Sequence, residues 1–323
     1  MKKMLVFSAV MSLMLFGCAK KDNSVVEQDV TVAQPQQRIC AAQDVLEEQM
    51  ATDPTLRQKM NDLELFTQRY VSGDVNAALP TDTIRIPVVF NVLYRTAAEN
   101  VSDAQLQSQI DVLNQDYEGY NTDLKGIPAI FSNVKAGFIP VKFVLSSIVR
   151  KSTTTTSWTS NDNMKSSAKG GISPTTPTTK LNIWVCTLGG GLLGYAQFPG
   201  GSSATDGVVL LNTATGKVGT AKAPYGLGRT ATHEVGHWLN LRHIWGDTNC
   251  GTDNVDDTPQ HNAANGGCPS YPHYSTCAGK PIEMTMNYMD YTDDACMYMF
   301  SAGQKSRMMA LFVTGGLRYN IGK

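Results

Sequence analysis

One run of eleven residues restricts the fold of this chain more than any other: residues 233–243 read His-Glu-Val-Gly-His-Trp-Leu-Asn-Leu-Arg-His. If the run begins as a helix, His233 and His237 lie one turn apart on the same face, and two imidazoles so placed bind one zinc ion. His243 comes six residues after His237, so the chain must turn sharply before it can supply a third ligand. Asn240 lies at that turn, and asparagine is the non-glycine residue that best tolerates a positive φ.

The residue after the first histidine supplies a base. Glu234 is too short in reach to be a comfortable ligand, but it is well placed to accept a proton from a water at the metal. The alternative is a surface helix that carries histidines by chance. The chain has 5 His, and three of them fall within this run, which favours a zinc site.

Length and composition are those of a globular protein with a sizeable core. The chain has 323 residues, 42% hydrophobic and 17% charged. Its formal net charge is −1, so nothing indicates nucleic acid or an anionic membrane as a partner.

Residues 1–18 are interpreted as a targeting segment. Lys2 and Lys3 precede an apolar run that ends near Phe16 and is too short to span a bilayer. The run leads into Cys18 and resembles a bacterial lipobox, in which the cysteine is acylated after cleavage. Ordinary signal cleavage nearby is the alternative. Both predict export, and export permits disulfides.

Composition divides the rest of the chain. Residues 19–36 are polar and predict a tether, residues 41–71 predict helix, and residues 72–83 predict a linker. We therefore expect three parts: a lipoprotein-type signal peptide at 1–18, a tether with an appended segment at 19–80, and the main domain at 81–323.

The main domain is predicted to be α+β. Strand patterns occupy 83–94, 141–149, 180–186 and 206–212. A capping box at Ser102 opens a backing helix. These elements and the zinc helix form an upper lobe. The chain after that helix forms an irregular lower lobe, until a second capping box opens a last helix near the C-terminus.

Six cysteines remain besides Cys18. Four lie in the turn-rich region 250–296 and allow three pairings. Cys186 lies in an apolar run and is most simply a buried free thiol. Cys40 stands alone, far upstream.

A short motif follows the zinc helix: residues 287–291 read Asn-Tyr-Met-Asp-Tyr. Zinc peptidases with a third histidine at this spacing, the metzincins, carry a methionine in a tight turn beneath the ligands. Met289 is the candidate here, and Met286 is its rival. The hydroxyl of Tyr291 is expected to reach the metal or the transition-state oxyanion. The alternative is that Tyr291 only packs.

The zinc motif, the cysteine-bearing loop and the Asn-Tyr-Met-Asp-Tyr motif together resemble the pappalysin family of metzincin metallopeptidases, over residues from about 83 to 313. The resemblance implies a twisted, mostly parallel sheet with a backing helix and an active-site helix in the upper lobe. It also implies a disulfide-stapled lower lobe with a C-terminal helix. Its small microbial members are secreted endopeptidases with one catalytic zinc and structural calcium. They are made as latent zymogens and prefer a basic residue, chiefly Arg, just after the scissile bond (P1′). Asn240 replaces the commoner glycine of this family.

The resemblance also assigns residues in the lower lobe. It implies the pairings Cys250–Cys277 and Cys268–Cys296, against other pairings of the same four cysteines. The loop 247–258 is acidic, and hard cations take oxygen ligands. The resemblance favours calcium there, and a solvated acidic turn without metal is the alternative. The chosen calcium ligands are Asp253, the Val255 carbonyl, Asp257 and Thr258.

Two further assignments concern specificity and latency. Asp294 is chosen by resemblance as the carboxylate that attracts a basic P1′ side chain, against a merely exposed acidic pair with Asp293. Cys40 is expected to be a fourth zinc ligand that holds the enzyme latent, because thiolate is a good zinc ligand. The alternatives are an unpaired thiol or a disulfide with Cys186. Leu56–Arg57 and Gln68–Arg69 are candidate self-cleavage bonds.

The sequence thus predicts an exported zinc endopeptidase that cleaves proteins before Arg or Lys and is made as a latent zymogen. An extended substrate is expected to pair with an edge strand from 192–200 or 207–212. The protein would be a bacterial outer-membrane or cell-surface lipoprotein, or be secreted after processing. Alternatives are a catalytically inactive zinc-bearing binding or adhesion lipoprotein, and a zinc hydrolase acting on a non-peptide amide.

Overall fold

A computed structural model describes residues 37–75 and 82–323. The predicted signal peptide with Cys18, the tether at 19–36 and the predicted boundary between residues 80 and 81 lie outside the described residues. Within the described part, none of the helices is both long and apolar enough to cross a membrane.

The N-terminal segment, residues 37–75, contains two helices where the sequence predicted one helical region. They are α1 (Ala42–Thr52) and α2 (Pro54–Val71). Asp53 separates them because its side chain caps α2 by accepting a hydrogen bond from the backbone of Thr55 at 2.9 Å. Pro54 then takes the first helical position, where its missing N–H costs nothing.

The described residues form one five-stranded sheet with the order β2-β1-β3-β5-β4. The strands are β1 (Ile84–Tyr94), β2 (Val141–Ser152), β3 (Leu181–Cys186), β4 (Gly194–Ala196) and β5 (Val208–Leu211). The first four in spatial order are mutually parallel, and only β4 is antiparallel to its neighbour. The sheet is therefore mostly parallel, as expected, and β4 forms one edge.

Two helices complete the upper lobe, residues 82–239. They are the backing helix α3 (Asp103–Glu118) and the zinc helix α4 (Arg229–Trp238). Ser102 caps α3 by accepting a hydrogen bond from the backbone of Gln105. The Gln105 side chain does not return to Ser102, however. It binds the loop 212–220 through its amide group, so a tertiary contact replaces half of the predicted capping box.

The lower lobe, residues 240–323, is mostly irregular and contains α5 (Ala302–Met309). Ser301 and Gln304 form both hydrogen bonds of the capping box that opens α5. Short 3-10 turns occur along the chain at Thr122–Gly126, Ala129–Phe131, Asn163–Lys165, Ser167–Lys169, Asn212–Ala214 and Asp294–Cys296.

One hydrophobic core joins the two lobes. It includes Val88 of β1, Leu113 of α3, Trp238 of α4 and Met308 of α5, all fully buried. Leu63 of α2 belongs to the same core. The N-terminal segment is therefore packed into the molecule and is more than a tether.

Candidate active site

The sharp turn demanded by the sequence follows α4 directly. The backbone N–H of Leu241 donates to the carbonyl of Gly236, and the N–H of Asn240 donates to the carbonyl of His237, both at 2.9 Å. Asn240 has a φ of 70°. These are the two hydrogen bonds and the left-handed residue of a Schellman cap. The chain reverses here and carries His243 back towards α4.

Three histidines and one cysteine converge at the end of this turn. The Nε2 atoms of His233 and His243 each lie 3.1 Å from Nε2 of His237. The Sγ atom of Cys40 completes a buried group whose four ligand atoms all lie within 4.8 Å of one another. Imidazole nitrogen and thiolate sulfur in a compact group of four are a ligand set that suits tetrahedral zinc.

The outer nitrogen of each histidine has an acceptor. Nδ1 of His233 lies 2.7 Å from the Tyr288 carbonyl, and Nδ1 of His237 lies 2.8 Å from the Leu241 carbonyl. Nδ1 of His243 meets the Asp247 carboxylate. A proton on each Nδ1 leaves the Nε2 lone pair free towards the centre. Burial also lowers the pKa values of His233 and His237, which keeps them in the neutral form that binds metal. The residues present therefore fit zinc.

Glu234 lies beside this group and is fully buried. Burial raises the pKa of its carboxyl to about 8, and Oε2 accepts a hydrogen bond from the Cys40 thiol at 3.2 Å. Strand β4 can pass close to Glu234 because residue 194 of the strand is a glycine. A Cβ on Gly194 would come within 3.1 Å of Oε1 of Glu234. The edge strand and the carboxylate therefore share one side of the cleft.

Met289 lies directly beneath α4. A Cβ on Gly236 would come within 2.5 Å of its sulfur, so the glycine inside the zinc motif makes room for this methionine. Met286, the rival, instead has its carbonyl bonded to Tyr298. The geometry thus gives Met289 the position beneath the histidines.

Tyr291 packs among the ligands and contacts the N-terminal segment. Its ring centroid lies 4.9 Å from that of His243 and 4.7 Å from that of Trp245. Its hydroxyl donates to the carbonyl of Cys40 at 3.1 Å and accepts from the Cys40 N–H at 3.3 Å. The tyrosine therefore has a polar backbone partner as well as a packing role.

Asp294, the carboxylate predicted to attract a basic P1′ side chain, is fully buried and pairs with Arg38. One Oδ atom accepts from Arg38 at 2.7 Å, and the other accepts from the N–H groups of Leu227 and Arg229. The same guanidinium donates to the Thr292 carbonyl at 3.3 Å. Asp294 is therefore not exposed, and it holds a basic side chain in a desolvated ion pair.

The acidic loop brings most of its predicted ligands together. Oγ1 of Thr258 lies 3.0 Å from both Asp253 oxygens and 2.9 Å from the Val255 carbonyl. Burial raises the pKa of Asp253 to about 7. Asp257 turns to the start of α5, where Oδ2 accepts from Gly303, and its buried Oδ1 has no hydrogen-bond partner. The structure therefore brings Asp253, Val255 and Thr258 together and turns Asp257 towards α5.

The cysteines of the lower lobe pair as Cys250–Cys277 and Cys268–Cys296. Cys40 and Cys186 are both free and buried. The alternative disulfide between Cys40 and Cys186 is absent among these described residues.

Sequence reasoning gave no role to Arg38, Asp247 or Thr230, although each contributes to the site. Arg38 also donates to Thr230 at 3.0 Å, and its guanidinium lies 5.1 Å from the Tyr225 ring centroid. A signal for Arg38 was available, because a basic residue two positions before Cys40 has the chemistry of the expected P1′ side chain. Asp247 and Thr230 carry no such signal, since their roles depend on a long-range fold.

This arrangement, with a zinc helix, a left-handed turn to the third histidine and a methionine beneath, defines a metallopeptidase of the metzincin class. The sequence profile of the Peptidase_M43 family, described as pregnancy-associated plasma protein-A, matches residues 179–313. An extracellular metalloprotease of Verticillium alfalfae is 33% identical over 270 residues, covering 79% of this chain and 87% of that protein. Extracellular metalloprotease 1 of Coccidioides posadasii is 32% identical, covering 71% and 77%. The chain belongs to this family, the pappalysins.

Two solved structures are similar over most of their length. Mature mirolysin of Tannerella forsythia in complex with a cleaved peptide is 46% identical with a TM-score of 0.73, covering 75% of this chain and 97% of that one. A promirolysin mutant from the same organism is 43% identical with a TM-score of 0.80, covering 88% and 97%. The chain is therefore an exported zinc metalloendopeptidase with a zymogen form, and its substrates are proteins or peptides.

Proposed function

We propose that the mature enzyme cleaves proteins on the N-terminal side of Arg or Lys, and that residues 38–40 keep the zymogen latent by filling the cleft. One observation carries this proposal. The Cys40 sulfur lies at the three histidines while the Arg38 guanidinium lies on Asp294, so one short stretch fills both the metal centre and the pocket. A substrate with a basic P1′ residue would have to occupy the same two sites, the metal centre and the pocket at Asp294.

His233, His237 and His243 would hold the zinc ion. When bound, zinc lowers the pKa of water towards 7 and polarises a carbonyl oxygen. Tyr288, Leu241 and Asp247 accept from the three Nδ1 atoms and so fix the ring orientations, as partners of metal-binding histidines do.

Glu234 is the proposed general base. Its carboxyl is fully buried directly beside the three histidines, where a side chain can exchange a proton with a water at the metal. It would accept the proton of the attacking water and deliver it to the leaving amine. Tyr291 would donate a hydrogen bond to the developing oxyanion, since its hydroxyl already donates to a backbone carbonyl at this place.

The pocket chemistry favours Arg over Lys. A guanidinium can reach Asp294, the Thr292 carbonyl and the Thr230 hydroxyl at once, as Arg38 does. Its plane also lies near the Tyr225 ring. An ammonium is a point charge that cannot span these acceptors, so Lys is expected to bind more weakly.

The edge strand β4 is the proposed support for an extended substrate. The N–H of Leu193 donates to the carbonyl of Ile39 at 3.0 Å, and the carbonyl of Gly194 accepts from Ala41 at 3.3 Å. The N-terminal segment runs parallel to β4 at Cys40. These edge groups are freed when the segment leaves, and a peptide backbone can then use them.

Cys40 is the proposed fourth zinc ligand of the zymogen. Its thiol is buried beside the histidines, and burial raises its pKa. A dication held by the same ligands favours the thiolate, so loss of the proton accompanies metal binding. A thiolate at this position excludes the water that the reaction needs.

Calcium and lipid remain parts of the proposal. The loop with Asp253, Val255, Asp257 and Thr258 would take a structural Ca²⁺, supported by the unpartnered Asp257 oxygen and the buried Asp253 carboxyl. Residues 1–18 would act as a signal peptide and Cys18 would carry a lipid. The lipid would attach the zymogen to a bacterial outer membrane until a cut within residues 19–80 frees the catalytic domain at 81–323.

A binding or adhesion protein without activity is the second candidate. Glu234 is the observation against it, because a purely structural zinc site needs no base. A zinc hydrolase of non-peptide amides would not need an Arg-filled pocket beside the metal.

Cleavage-site profiling tests the proposal. Processed protein is incubated with a mixed peptide library, with and without a chelator, and the new N-termini are read by mass spectrometry. New N-termini that begin with Arg or Lys, and that vanish with chelator and with Glu234→Ala, are expected. Chelator-sensitive cleavage without a basic P1′ preference would overturn the Asp294 assignment. No cleavage by processed, zinc-loaded protein would favour the binding-protein alternative.

A further inference from the structure

We propose that the surface beneath α2 is a docking site that holds residues 37–75 on the enzyme independently of the cleft. A single cut between α2 and β1 would then leave a latent, non-covalent complex. This inference rests on the proposal that residues 38–40 block the cleft, and it adds a second point of attachment. We call the enzyme side of this contact the α2 docking face; it comprises Phe198, Gly200, Asn240, Arg307 and Gly315.

The apolar part of this contact resembles a domain core. Leu56 and Leu63 of α2 are 2% and 4% exposed, and Thr67 is completely buried. Leu56 clusters with Phe198, and Leu63 is part of the core that joins the two lobes. Side chains buried this deeply give a large part of the free energy of association when two surfaces stay together.

The polar part of the contact between α2 and its docking face is an ion pair between Glu64 and the buried Arg307. Glu64 of α2 accepts two hydrogen bonds from Arg307 of α5, at 3.0 and 2.8 Å. Arg307 is only 3% exposed in its side chain, and it also donates to the Asn254 carbonyl at 3.2 Å. Departure of α2 would leave this guanidinium without its carboxylate, which opposes dissociation.

The α2 docking face also includes the turn that precedes the third histidine. Nδ2 of Asn240, the residue in place of the family's usual glycine, donates to Oγ1 of Thr67 at 3.4 Å. The cleft contact at residues 38–40 and the α2 contact thus approach the metal-binding turn from two sides. Two linked contacts hold a segment more tightly than either does alone, because the second binds intramolecularly.

The two candidate self-cleavage bonds, Leu56–Arg57 and Gln68–Arg69, both lie inside α2. A peptidase that binds extended chains cannot accept a helical backbone. These bonds would therefore be cut only after α2 has left its docking face. The cut at Gln68–Arg69 separates Leu63, Glu64 and Thr67 from the enzyme and makes the release irreversible, whereas a cut at Leu56–Arg57 alone would leave them attached.

The test uses the full chain with Glu234→Ala, which prevents self-cleavage, and Cys40→Ala, which removes the thiol at the metal. A recognition sequence for a foreign site-specific peptidase is placed within residues 76–81, and the chain is cut there. Gel filtration and native mass spectrometry then measure whether the N-terminal fragment stays bound and how fast it leaves. We expect it to co-elute with the catalytic part.

Substitutions within α2 separate docking from chance association. Leu63→Ala is expected to speed release about 100-fold, from the usual cost of truncating a buried leucine. Leu65→Ala is the matched control, since Leu65 is 59% exposed on the same helix and should leave release unchanged. Glu64→Gln should also speed release, and it serves as the second variant if Leu63→Ala impairs folding of the uncut chain. All three variants yield the same mature enzyme, because α2 is removed with the segment.

Two results would overturn the proposal: a fragment that leaves as soon as the chain is cut, or equal release rates for Leu63→Ala and Leu65→Ala. The readout is binding by an inactive chain, so it stands even if cleavage-site profiling finds no peptidase activity. Failure of one proposal is therefore distinguishable from failure of the other.

Discussion

The two lobes are held together by different means. The upper lobe, residues 82–239, consists of a mostly parallel sheet and two helices around an apolar core. The lower lobe, residues 240–323, has an eight-residue helix, two disulfides and several buried polar groups in place of a sheet. Regular hydrogen bonding stabilises the first, whereas cross-links and specific polar contacts stabilise the second.

The chemistry divides along the same line. The upper lobe supplies Glu234 and two of the histidines from a single helix, so their spacing is fixed by helix geometry. The lower lobe supplies His243, Tyr291 and Asp294 from irregular backbone. Because His243 and Tyr291 would serve every substrate, we expect substitution of Glu234 in the upper lobe to slow all cleavages, and substitution of Asp294 in the lower lobe to change which peptides are cut.

The largest expected effect on activity comes from substitution of Glu234, the proposed general base. Glu234→Gln keeps the shape of the side chain but removes its ability to accept a proton, so kcat/KM should fall about 1,000-fold for every substrate. Zinc content, measured by atomic absorption, should stay unchanged. A loss confined to Arg substrates would contradict the division between the lobes.

The next effect concerns selectivity. Asp294→Asn removes the buried charge that faces Arg38, so kcat/KM for a substrate with Arg at P1′ should fall about 100-fold. A matched substrate with Leu at P1′ should change little, as measured by parallel peptide assays. Asp293→Asn is the control, because Asp293 carries a neighbouring charge but makes no direct contact with Arg38 among the described residues. Equal losses for both substrates would mean that Asp294 has a structural role only.

Removal of a lower-lobe disulfide should lower stability moderately. Cys268 and Cys296 are 28 residues apart, and a closed loop of that size contributes about 3–4 kcal/mol in the entropic description. The double substitution Cys268→Ser with Cys296→Ser should lower the free energy of unfolding by this amount in urea titrations. Cys186→Ser in β3 is the comparison for a single buried thiol of the upper lobe. A larger loss from Cys186→Ser would reverse the contrast between the lobes.

The smallest expected effect is a pH dependence of the free energy of unfolding, due to a buried carboxyl in the upper lobe. Burial raises the pKa of Asp116 to about 7, although Arg229 lies 3.0 Å away. The unfolded value is near 3.9. The folded state therefore binds more protons between about pH 4 and 7, and the free energy of unfolding should fall by about 1–3 kcal/mol as pH rises through this window. Asp116→Asn should reduce this slope in urea titrations at pH 4.5 and 7.5, and the remainder would come from Glu234 and Asp253, whose pKa values burial also raises. An unchanged slope would assign it to another group.

The sequence predicted the features that depend on local geometry. The helix with two ligands, the turn at Asn240 and the strands that begin near Ile84 and Val141 all follow from spacing or periodicity. The fold class and the membership of the family followed from the same motifs, and both are confirmed.

Features that depend on distant partners could not be predicted in this way. Arg38 and Asp294 are separated by 256 residues, so their contact leaves no local pattern. The stretch 151–179 is rich in Ser, Thr and Lys, a composition typical of an exposed loop, but its Lys165 is 1% exposed and lies over the Tyr195 ring. Its charge is satisfied by Asp162, three residues earlier, which a reading of polar composition cannot reveal.

Cobalt substitution measures whether Cys40 shares a metal ion with the three histidines. Co²⁺ replaces zinc in the full chain, and the absorption spectrum is searched for a thiolate-to-metal charge-transfer band. We expect a band in the full chain and in Cys186→Ala, and its loss in Cys40→Ala and after removal of residues 37–75. A full chain without the band, or a band that survives Cys40→Ala, would contradict it.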